Sequence, residues 1–99
     1  MKTNHQIAAD VGYRLKEWRL RRQHYTGQLC RQEDVAKAVG IAQATYSRIE
    51  SGKALMNLGQ MLDLCEYFDG DVWQLLDAGG SIRGYLSHRK EQKKLNQQG

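Results

Sequence analysis

At 99 residues and 40% hydrophobic content, the chain holds material for one modest core and not for two. No apolar run approaches the roughly 20 residues that cross a bilayer, and Met1-Lys2-Thr3-Asn4-His5 leads into no signal-peptide stretch. The expectation is therefore a cytoplasmic protein without membrane contact. The net charge of +4 is segregated, with seven basic residues against two acidic ones in 1–31, three against eight in 32–80, and five against one in 81–99. One basic face for a polyanion would give that pattern, and so would the solvated charge runs of an ordinary soluble protein.

Cys30 and Cys65 are too few to staple a secreted fold and too far apart for a redox pair, so they read as reduced, small apolar residues. His5, His24 and His88 have no partners at metal-ligand spacing and read as surface residues, so no metal and no cofactor is expected.

The chain contains no proline, and its apolar residues recur at helical rather than alternating spacing, which predicts an all-α fold. A first helix starts near Asn4, where Thr3 and Gln6 have capping-box spacing, and carries the stripe Ile7, Val11, Leu15 and Trp18 to about Arg22. Gln23 to Arg31 reads as a loop around Thr26-Gly27, although the helix can extend into it. A second helix fits Gln32 to Val39, with Glu33 and Asp34 in its first turn and Gly40 just past its end.

A third helix fits Gln43 to Ser51 and stops at Gly52. A fourth, capped by Asn57, places Leu58, Met61, Leu62, Cys65 and Phe68 on one stripe. A fifth follows the cap Asp71 with Val72, Leu75 and Leu76, and Gly79-Gly80 closes a domain over residues 1–80. Residues 81–99 form a basic C-terminal extension, a docked helix or a frayed tail, whose apolar cluster is Ile82, Tyr85 and Leu86.

The informative stretch is Gln32 to Gly52, QEDVAKAVGIAQATYSRIESG. Two steeply crossing helices need a small residue at the close approach, a glycine in the turn and apolar residues on the inner faces. Ala36 is the small residue, Gly40 the turn, and Val35, Val39, Ile41, Tyr46 and Ile49 the inner positions. At about 100° per residue, that leaves Ala44, Ser47 and Arg48 facing outward, with Gln43 at the exposed N-terminus. Trp18, Tyr46 and Trp73 have helical spacing to other apolar residues and are expected in the core rather than as base-stacking platforms.

This segment resembles the helix-turn-helix of the lambda-repressor/Cro family, the xenobiotic-response-element type. The likeness rests on Gln32, on the Val-Ala-Lys-Ala-Val-Gly run of 35–40, and on Ser-Arg-Ile-Glu-Ser-Gly of 47–52. It extends less sharply to Val11-Gly12 through Arg19 and to Leu58 through Leu76. It implies a five-helix lambda-repressor-like domain that binds double-stranded operator DNA as a homodimer and regulates transcription, most simply as a repressor.

Gln43, Ala44, Ser47 and Arg48 would then read base edges, since an amide suits adenine, a guanidinium suits guanine and a methyl suits thymine. Gln32, Thr45, Lys53 and Arg22 are the candidate phosphate contacts. Arg19 and Glu50 fall where the family forms an internal ion pair between the first and third helices. Three features depart from the family pattern: the connection from Arg19 to Gln32 is longer, and Arg31 and Ala42 stand where the family tends to place capping Ser or Thr. Each missing cap is expected to cost about 1 kcal/mol unless another group satisfies the free amides.

No nucleophile is placed beside an activating His or Cys, and no glycine-rich phosphate loop is present, so the sequence does not read as an enzyme. The alternative from another class is a protein-interaction module such as an antitoxin, in which the acidic 32–80 region or the tail neutralises a partner protein. A third reading gives the basic tail an RNA-binding role.

Overall fold

The computed structural model describes residues 3–76 as five α-helices, and the expectations for residues 77–99 lie outside it. In α1 (Asn4–Thr26) the Thr3 hydroxyl accepts from the Gln6 amide at 3.2 Å, while the Gln6 side chain accepts from the Thr3 N–H at 2.9 Å. Both orphan donors are thereby satisfied. Ala8, Val11, Leu15 and Trp18 recur every three or four residues and are buried, while Ile7 packs at their edge.

The helix does not stop at Arg22. Between Arg22 and Gly27 stands neither glycine nor proline, and Gly27 takes a left-handed φ of 69° and donates back to the Gln23 carbonyl at 3.0 Å. Of the loop expected over 23–31, residues 23–26 are thus helix, and only residues 27–31 remain as loop. The Gln23 side chain pulls that loop home by accepting from the Cys30 N–H at 3.1 Å.

α2 (Gln32–Val39) and α3 (Gln43–Glu50) are joined by three residues. Gly40 adopts φ 73°, and the Ile41 N–H reaches back to the Ala36 carbonyl at 2.9 Å, which reverses the chain tightly. Val35, Ala36, Tyr46 and Ile49 are buried, with Val39 and Ile41 partly so.

α4 (Leu58–Phe68) opens on the reciprocal Asn57 and Gln60 cap. Its inner face differs from the expected stripe. Leu64 and Cys65 are buried with Met61 and Phe68 between them, whereas Leu58 and Leu62 are exposed. At 100° per residue, Leu62 lies about 110° from the centre of that face, so a stripe drawn one position early misplaced it.

α5 (Val72–Leu76) follows Asp71, whose carboxylate accepts from the Trp73 N–H at 2.7 Å. It buries Leu75, while Trp73, expected in the core, is 45% exposed. On the short helix Leu75 is the fully buried position, and Val72 packs beside it against the core. Cys30 and Cys65 are free and buried.

Candidate nucleic-acid interface

Glu50, at the end of α3, is the one buried charged residue among those described. Its carboxylate accepts from Arg19 Nε at 3.0 and 3.2 Å and from Arg19 Nη2 at 2.8 Å, while Gln32 Nε2 donates to it at 3.2 Å. The other arm of the guanidinium, Nη1, donates to the Cys30 carbonyl at 2.9 Å. One carboxylate therefore ties α1, the α1–α2 loop, the start of α2 and the end of α3 together.

Burial alone would raise the Glu50 pKa, but the Arg19 guanidinium, the neighbouring Tyr46 hydroxyl and the Gln32 amide outweigh it and hold the carboxyl below its ordinary value. The Tyr46 hydroxyl is buried near the same carboxylate without reaching hydrogen-bond geometry. Burial and that negative charge push its pKa well above the usual phenol range.

Two glycines set how closely α1 and α3 approach. A Cβ on Gly12 would stand 2.5 Å from the Glu50 carbonyl oxygen and 2.6 Å from that of Ile49, so backbone meets backbone there. Gly52, at φ 77°, turns the chain away from α3 with Ala9 of α1 directly against it. The sequence reading gave neither glycine a packing role, although a glycine inside the apolar stripe of a helix is the signal for a close approach.

With Tyr46, Ile49 and Glu50 held inward, α3 turns its other side to solvent. Gln43, Ala44, Thr45 and Arg48 are exposed and Ser47 is half-buried. That outer face carries no carboxylate. Lys53 is exposed just past the helix, its N–H closing the turn on the Arg48 carbonyl at 2.8 Å. The N-terminus of α3 has no side-chain cap at Ala42, which leaves its first amides to solvent or to an anion. At α2 the Asp34 carboxylate accepts from the Arg31 N–H at 3.0 Å, the reciprocal half of a capping box, while no Arg31 side-chain bond caps the first amides of the helix.

The expected phosphate contacts thus divide. Thr45 and Lys53 share the exposed side with the outer residues of α3. Gln32 spends one amide proton on Glu50, and a second remains on the same nitrogen. Arg22 has a different employment: its Nη1 donates to the Tyr67 carbonyl at 2.6 Å, and its guanidinium lies 4.1 Å over the Tyr67 ring. That arginine fastens α1 to α4, and the sequence could not foresee it because Tyr67 lies 45 residues away.

Among the described residues, no three His, Cys, Asp or Glu side chains gather to hold a metal ion, and no helix is long and apolar enough to cross a membrane. A family model described as a helix-turn-helix domain matches residues 10–74. Comparison with curated proteins and with solved structures gives no match.

Proposed function

The chain belongs to the helix-turn-helix domain family, and we propose that it is a sequence-specific DNA-binding regulator of the lambda-repressor/Cro type, acting from the cytoplasm as a homodimer on a palindromic operator. The observation that carries this reading is α3, whose Gln43, Ala44 and Arg48 stand exposed on an acid-free face while Tyr46, Ile49 and Glu50 anchor the opposite side. Gln43 and Arg48 supply the side chains that pair with adenine and guanine edges, Ala44 the methyl that meets thymine, and Ser47 a small polar group at the base edge.

Thr45, Lys53, the second amide proton of Gln32 and the uncapped start of α3 would fix the register on phosphates. The Arg19–Glu50 pair supports the subtype, because it joins the two helices that the resemblance implies it should join. Self-association is supported by Leu55, Leu58 and Leu62, which are 54%, 64% and 49% exposed around the start of α4. In a dimer the two α3 helices would enter successive major grooves about 34 Å apart, and promoter occupancy would exclude polymerase. Selecting bound duplexes from a random library tests the reading. A palindromic consensus with half-sites one turn apart is expected, and recovery of unenriched sequence would refute it.

A further inference from the structure

The C-terminal half of α1 and the corner between α4 and α5 enclose a cleft that takes no part in the α3 face. Trp18 and Phe68 form its aromatic wall, their rings 6.0 Å apart at 55°, and Tyr25 stands at the rim, 80% exposed. Gly70 lies flush on the indole, where a Cβ would fall 2.5 Å from the ring, so the corner has no side chain to fill the space itself. The cleft measures ≈ 380 Å³, inside the range of roughly 300–1,000 Å³ that receives small groups.

The two arginines that border it already have partners, Arg22 on the Tyr67 carbonyl and Arg21 on Glu17 at 3.5 Å. Asp69, at the rim, makes no ion pair among the described residues. The open site therefore joins an aromatic wall to a polar rim of Arg21, Arg22, Thr26, Asp69 and Gln74, on which Asp69 is the carboxylate without an ion pair among the described residues.

Gln74 of α5 lines the same cleft, so the chain beyond Leu76 sets out from its edge. In the sequence beyond it stand Gly79-Gly80 and then Ile82, Tyr85 and Leu86, with Arg83 among them. Nine residue steps lead from Leu76, the end of α5, to Tyr85, a reach of at most about 30 Å, ample for a return to the cleft. A segment on so short a tether meets the site at an effective concentration of about millimolar, an advantage that a second copy lacks.

We propose that Ile82, Tyr85 and Leu86 pack into this cleft of their own chain, against Trp18, Tyr25 and Phe68, with Arg83 answering Asp69. The docked segment anchors the basic run Arg89, Lys90, Lys93 and Lys94 to the domain rather than leaving it adrift.

The test is nuclear magnetic resonance on the full chain, comparing the parent with the triple variant Ile82→Ser, Tyr85→Ser, Leu86→Ser and with Leu95→Ser as control. The triple variant should shift the Trp18 indole N–H and the amides of Tyr25, Gly70 and Gln74, abolish the indole's exchange protection, and leave α3 unmoved. The control should match the parent. As a second measurement that keeps the cluster intact, a spin label on Ser87→Cys should broaden Tyr25 and Gly70 but not Lys53. Unmoved cleft resonances, or the absence of broadening there, would overturn the proposal. So would broadening of isotope-labelled chains by separately spin-labelled ones, because the segment would then belong to another copy.

Discussion

Replacing Gly12 with alanine should destabilise the fold even though alanine is the better helix former. A Cβ would sit 2.5 Å from the Glu50 carbonyl oxygen where ordinary contact begins at 3.4 Å, so α1 and α3 must part by about 0.9 Å. Overpacking of that kind costs about 1–3 kcal/mol. The same movement loads the Arg19–Glu50 bonds, of which the shortest is 2.8 Å and would exceed hydrogen-bond length if it took the whole displacement. Helix propensity returns about 1 kcal/mol. The net expectation is a loss of up to about 2 kcal/mol, at most roughly 8–16 °C in Tm for a domain of this size. Gly59→Ala is the internal control: its Cβ would meet nothing nearer than Asn57 Oδ1 at 3.5 Å, and it should gain up to about 1 kcal/mol. Thermal and urea melts of both variants decide the matter. A Gly12→Ala protein that melts at or above the parent would refute the close approach of α1 and α3.

Truncating Arg19 or Glu50 singly to alanine should cost about 3–5 kcal/mol, because each leaves the other's charge buried without its partner; urea melts that match the parent would count against the buried pair. Since the Glu50 pKa is lower folded than unfolded, its contribution is complete above the ordinary value of 4.5 and is lost as pH falls through the folded value. Denaturation followed from pH 7 into the acid range should therefore show a decline below about pH 4.5 that is shallower in Glu50→Gln; equal slopes would show that another carboxylate governs the acid limb.

The helical fold and the motif at 32–52 were legible because glycines at 40 and 52 punctuate an otherwise unbroken helical period. The long α1 was legible only in part. Few apolar residues follow Trp18, so periodicity faded before the helix did, and the stop at Gly27 was the better guide. The stripe of α4 slipped because leucines at 58, 62 and 64 offer more apolar positions than one face can bury, and only packing against α2 and α5 chooses among them. Trp73 was misplaced for the same reason, on a helix whose inner side is taken by Leu75 and Val72. The partners of Arg22 and Gln32 are long-range contacts that no local pattern announces.

The central claim is that the outer face of α3 reads bases, and the most direct measurement is a titration of the full chain and its Gln43→Ala and Arg48→Ala variants against a selected operator and random duplex. Each variant should lose about 1–3 kcal/mol toward the operator, with binding to random DNA unchanged apart from any phosphate share. Lys53→Ala, by contrast, should weaken both and reduce the salt slope by about 0.9. Operator affinity unaltered in both Gln43→Ala and Arg48→Ala, with their folds intact, would contradict the account.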